Sequence, residues 1–175
     1  MSGKQGLREL QQRLALRMQA VREVSAAAQW LAVECAGLGV LLSLRQAGEI
    51  FTPTAMTAVP HTVPWLLGVA NLRGGLYTVV DLAQFLGLRS AASAAPGQRL
   101  VSFQSELGLN CALLVDELLG LRMEEQLRRE PEDATVPRRP SFAAQRLRDA
   151  EGRSWQVLDL QVLASTPSFL QIASH

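Results

Sequence analysis

Apolar residues follow two different rhythms along this chain. From residue 5 to about residue 29 they recur every third or fourth position, at Leu7, Leu10, Leu14, Met18 and Val21. That spacing predicts one helix with a single apolar stripe, and Arg8, Arg13, Arg17 and Arg22 fall off it. The stripe carries no bulky aromatic, so the expected partner is the protein's own domain rather than another protein or a membrane surface.

From Trp30 the rhythm shortens and predicts strands. Gly39 to Leu44 is a β run, and Ala47-Gly48-Glu49-Ile50 follows closely. Pro53, Pro60 and Pro64 make the next stretch an edge or a loop. Leu66 to Ala70 and Leu76 to Val80 are apolar on both faces, as strands closed into a small barrel must be. Leu100 to Gln104 and Leu109 to Val115 read as a hairpin around Ser105 to Gly108, and Leu119 to Met123 as a further strand. Ser90 to Gln98 is a small-residue connector, and Glu130 to Phe142, with three prolines and charges of both signs, is a solvated loop. The expected organisation is a helical arm over residues 1–29 and a mainly β domain over 30–175, in two lobes divided by the connector at about 89–98.

An internal echo supports two lobes. With Asp81 aligned on Asp159, Tyr77 falls on Trp155, Val79 on Val157, Val80 on Leu158, Leu82 on Leu160 and Phe85 on Leu163. A glycine turn precedes each copy, at Gly74-Gly75 and at Gly152. Two related barrels, each ending on a short helix, would produce this pattern.

Composition then removes whole classes of function. The chain is 48% hydrophobic and 19% charged, so a packed core is expected and global disorder is not. A formal net charge of +1 is far below what phosphate-backbone binding usually concentrates. Cys35 and Cys111 each sit inside an apolar run and read as buried hydrophobes. His61 and His175 stand at ligand spacing from no other His, Cys or carboxylate, so no metal is expected. No nucleophile motif and no cofactor motif is present, and Gly37-Leu38-Gly39 lacks the third glycine of a dinucleotide site. The N-terminus has no signal-peptide pattern, and the most apolar run, Trp30 to Leu44, is too short to span a bilayer; a cytoplasmic protein is expected.

The remaining polar residues of note sit at turns. Asp81 followed by Gln84 is a capping box that Gly87 closes, and Asp159 would cap in the same way. Asp116-Glu117 reads either as solvated strand-end charge or as a contact. Asn71-Leu72-Arg73-Gly74-Gly75 places a long cationic fork on a glycine turn between buried strands. Such a donor suits charged or backbone acceptors on a partner, the alternative being an ordinary solvated arginine.

These residues resemble the CheW family, adaptors that couple chemoreceptors to a histidine kinase. The likeness runs from about Gly39 to Leu163 and rests on Gly68-Val69-Ala70-Asn71-Leu72-Arg73-Gly74. Around it, in order, lie Ala47 to Ile50, Val59-Pro60 with Pro64, Asp81-Leu82, and Leu114-Val115-Asp116-Glu117. Thr78 stands where the family usually has proline, and Ala47 where it has valine. The resemblance implies two intertwined five-stranded β-barrels, with no catalysis and no cofactor. It implies a receptor-facing turn at Asn71, Arg73 and Gly74, and a region contacting the regulatory domain of a CheA-type kinase at Ala47, Glu49 and Ile50. Asp81, Gly87 and Gly68 would be structural caps and turns. The arm and the Ser168-Phe169-Leu170 tail look most like the adaptors of type IV pilus twitching motility, and association with membrane receptor arrays would come through partners alone. A small-barrel nucleic-acid binder is the alternative; it needs stacking aromatics beside a basic groove, whereas Trp65, Tyr77 and Trp155 lie in apolar strands.

Overall fold

The computed structural model describes residues 2–27, 29–132, 135 and 137–173, so His175 lies outside the described residues. Helix α1 (Ser2–Ala27) leads into eleven strands: β1 (Trp30–Cys35), β2 (Leu38–Ser43), β3 (Ala47–Phe51), β4 (Leu66–Leu72), β5 (Gly75–Asp81), β6 (Arg99–Phe103), β7 (Cys111–Val115), β8 (Glu117–Arg122), β9 (Leu127–Arg129), β10 (Arg146–Asp149) and β11 (Ser154–Leu158). Three one-turn helices follow capping positions, namely α2 (Leu82–Phe85), α3 (Leu160–Ala164) and α4 (Pro167–Leu170).

The strands form a six-stranded sheet in the order β8-β1-β2-β11-β10-β9 and a five-stranded sheet in the order β3-β6-β7-β5-β4. The echo is visible in their pairing. In the first sheet the β1–β2 hairpin lies parallel to β11, which pairs antiparallel with β10. In the second the β6–β7 hairpin lies parallel to β5, which pairs antiparallel with β4. The lobes are therefore one topology used twice. They are also interleaved. The six-stranded sheet takes β1 and β2 from the start of the domain and β8 to β11 from its end, with the whole five-stranded sheet inserted between. The chain passes between sheets at 44–46 and at Asp116, whereas residues 89–98 connect α2 to β6, which belong to the five-stranded lobe.

Apolar residues on both faces have a simple cause here. Leu31, Val33 and Cys35 of β1 point into a core shared by both sheets, while Ala32 between them lines the interior of its own curled sheet beside Leu41 and Trp155. On β7, Cys111, Leu113 and Val115 face the shared core and Ala112 and Leu114 the other interior. A strand that must fill two cores has no polar face to show.

The curl of the five-stranded sheet brings its edge strand β3 against β5, three places along the order. Phe51 of β3 packs on Tyr77 of β5 with ring centres 6.3 Å apart. In the six-stranded sheet, the Arg122 guanidinium of β8 lies 5.4 Å from the centre of the Trp155 ring of β11. The tail ties the lobes together: Phe169 of α4 is buried, stacks on Trp65 and Phe103, and meets Phe85 edge-on at 5.1 Å. Burying such a ring contributes several kcal/mol, which makes the tail part of the fold.

The arm departs from expectation. Leu7, Leu10, Leu14 and Met18 are between 51% and 59% exposed, so the stripe does not dock on the protein's own domain; the side chain of Val21 lies outside the described residues. The expected docking needed an apolar acceptor on the domain, but the domain's own strands already fill its three cores.

Candidate functional site

The turn between β4 and β5 holds Arg73 at φ 48° and Gly74 at φ 83°. Positive φ at both central residues is the type I′ hairpin, whose twist matches that of the flanking strands. Gly74 meets this demand freely, and a Cβ there would touch nothing within 4 Å. Arginine does not meet it freely: a non-glycine residue in this region costs on the order of 1 kcal/mol. The side chain of Asn71 offsets part of that by accepting from the Gly74 N–H at 2.9 Å. The turn is thereby rigid, and the Arg73 side chain is 75% exposed at its tip.

Arg73 reaches across to β3. Its guanidinium pairs with the Glu49 carboxylate, itself 57% exposed, and lies 5.8 Å from the centre of the Phe51 ring. The structure thus brings the two implied contact regions side by side. A β-bulge shapes this edge. Ala47 pairs with Phe103 and Ile50 with Val101, so the register shifts between them and Glu49 and Ile50 both turn outward in succession. Ala47 goes the other way. It is 4% exposed in the shared core, so its side chain is not a contact surface: at the start of the strand, before the bulge, it faces inward. Leu76, cross-strand from Asn71, adds an exposed apolar side chain next to the turn.

Gly68 sits where β4 bulges against β5; a Cβ there would meet the Thr57 carbonyl oxygen at 2.3 Å. Only glycine allows the 52–64 segment to lie this close. Gly87 ends α2, its N–H donating to the Gln84 carbonyl at 3.0 Å.

Asp81 caps α2 as expected, accepting from the Gln84 N–H at 3.2 Å. Its second role was not legible in the sequence. Asp81 is fully buried, and Arg89 donates to both of its oxygens at 2.9 Å while reaching Asp116 at 2.7 Å. Asp116 is a contact rather than loose strand-end charge. It also accepts from the Ala36 N–H in the β1–β2 turn at 2.7 Å and from Gln98 at 3.3 Å. Burial works against its charge, but the hydrogen bonds from Ala36, Arg89 and Gln98 outweigh it and hold the carboxyl below its ordinary range. The only hint in the sequence was an arginine shortly beyond a buried cap.

Among the described residues no group of three His, Cys, Asp or Glu is placed to hold a metal ion. Burial pushes both cysteine thiols up to about 12, far from a reactive thiolate. Trp155 is buried and closed to a base, and Trp65 is half-buried with one ring face stacked on Phe169. No described helix is long and apolar enough to cross a membrane.

Comparison with known proteins agrees with the geometry. The chain is 30% identical over 110 residues to the protein PilI of Pseudomonas aeruginosa, covering 63% of this chain and 61% of that one. It is 39% identical over 54 residues to a probable chemotaxis protein CheW of Rhizobium etli, 31% of this chain and 35% of that one. These matches span less than two thirds of either relative's length. The fold is that of the scaffolding protein CheW of Thermoanaerobacter tengcongensis, with a TM-score of 0.62 at 18% identity over 76% of this chain and 89% of that one. The model of the CheW-like domain matches residues 29–168, and the chain belongs to the CheW-like domain family.

Proposed function

We propose that this protein is a non-catalytic adaptor coupling a chemoreceptor to a CheA-type histidine kinase, in the system that controls type IV pilus twitching motility. It would work in the cytoplasm, held at membrane receptor arrays through its partners. Membership of the CheW-like family and the likeness to PilI support the reading. The observation that carries it is Arg73, kept at positive φ and exposed on a rigid turn where glycine or asparagine would fit with less strain. The strain places a long cationic side chain, rather than a bare glycine, at the exposed tip of the turn.

In this reading Asn71, Arg73 and Gly74 face the receptor's cytoplasmic tip, and Glu49 and Ile50 face the regulatory domain of the kinase. The Arg73–Glu49 pair makes the two regions neighbours, so partners engaging them would compete for or share its charges. An exposed pair of this kind contributes little to folding, at most about 1 kcal/mol.

Arg73→Glu tests the reading. It should weaken binding to the receptor tip by at least ~2 kcal/mol, about thirtyfold, while the unfolding free energy, which loses the exposed pair with Glu49, changes by no more than about 1 kcal/mol. The swapped pair, Arg73→Glu with Glu49→Arg, restores the internal ion pair and should not restore binding. Unchanged affinity in Arg73→Glu would leave Arg73 an ordinary surface residue.

A further inference from the structure

The exposed stripe of α1 has a particular charge border. At 3.6 residues per turn, Leu10, Leu14, Leu7 and Met18 occupy an arc of about 80°. Arg13 and Arg17 lie along one border of this arc and Arg22 along the other, all exposed, while Glu9 lies on the far side. Leu16 stands alone on the back of the helix, where a single exposed leucine is ordinary. Residues 2–27 carry five basic residues and two acidic ones.

Three occupants can be weighed against that border. A second copy of the helix brings cation against cation in either direction. Packed parallel, the Arg17 border meets the Arg22 border of the other copy; packed antiparallel about Leu14, the border carrying Arg13 and Arg17 meets its own copy. A lipid surface calls for an apolar face of about 100° or more with aromatic anchors, and residues 2–27 contain no Trp, Phe or Tyr. A narrow aliphatic seam bordered by cations fits a helix whose own aliphatic seam is bordered by Asp and Glu.

We infer that α1 is a docking helix for another protein, seated on an apolar helical face with acidic borders. This surface is separate from the Arg73 face and stands whether or not the adaptor reading holds. The contact gains affinity from the leucines and orientation from the charges, so both must matter.

The full chain is titrated with two synthetic helical peptides that share one leucine seam, bordered in one by glutamate and in the other by lysine. The glutamate-bordered peptide should bind and the lysine-bordered one should not. Leu10→Ser with Leu14→Ser should weaken that binding at least tenfold, as should Arg13→Glu with Arg17→Glu. Both double variants should keep the wild-type unfolding midpoint, because the altered side chains face solvent. Equal binding of the two peptides, or binding indifferent to the serine changes, overturns the inference. So does co-sedimentation with phosphatidylglycerol vesicles, or a dimer in the ultracentrifuge, that the serine changes abolish.

Discussion

Asp81 and Asp159 hold the same place in the two lobes, and the protein treats them differently. Each ends a strand that pairs parallel with a hairpin, and each caps a short helix; Asp159 accepts from Gln161 and Val162 at 3.0 and 3.1 Å. Around Asp81 the crossover at Asp116 and the 89–98 connector seal the carboxylate from water, and Arg89 balances its charge. Around Asp159 the structure opens into a cavity of about 390 Å³, lined also by Trp30, Gln46 and Gln145. A neutral amide suffices there: Gln46 donates to Asp159 at 3.0 Å and accepts from the Leu160 N–H at 2.9 Å. Burial decides whether a cap needs a counter-charge.

Replacing each aspartate by asparagine should separate the two most sharply. Asparagine still caps, so Asp159→Asn should cost under about 1 kcal/mol. Asp81→Asn takes away the buried carboxylate that accepts from the half-buried Arg89 on both oxygens and leaves Asp116 as its remaining ion-pair partner, and should cost about 2 kcal/mol. Urea unfolding of the two variants measures the difference, and equal losses would mean that Arg89 carries no weight. The cap alone, as the sequence presents it, predicts a small cost at both sites.

A smaller effect tests the cause. Arg89→Met alone strands the buried Asp81 carboxylate, and its cost should be at least about 1 kcal/mol smaller when Asp81 is already asparagine, a coupling that independent sites would not show. The smallest is a dependence on acid. The carboxyl of Asp116 is held below its unfolded value of about 3.9, so its contribution is fully present above that pH. The contribution disappears as the pH falls through the lower folded value. In Asp116→Asn the stability curve should therefore be flatter than wild type below about pH 4, with the curves running parallel above pH 5.

The sequence revealed more of the lobes than of their joints. Strands with two buried faces, such as β2 and β7, were plain because every residue is apolar or small. β9 and β10 were missed because Leu-Arg-Arg and Arg-Leu-Arg-Asp each spend one leucine inward, at Leu127 and Leu147, and show charge elsewhere. The exposure of Glu49 and the burial of Ala47 follow from a bulge, which leaves no trace in composition. Arg89, Gln98 and Asp116 meet across long stretches of chain, and pairing of that kind has no period to detect. The Arg73 turn was readable because its chemistry is local.

Interleaving of the lobes has a consequence for how the protein is made. The five-stranded sheet is contiguous in sequence and can fold as soon as β7 leaves the ribosome, whereas β1 and β2, synthesised first, must wait for β11. At 5–20 residues per second that interval is on the order of ten seconds. Throughout it Leu31, Val33, Val40 and Leu42, all destined for the shared core, lack their final partners. The β1–β2 hairpin of the nascent chain is thus the segment most in need of a chaperone.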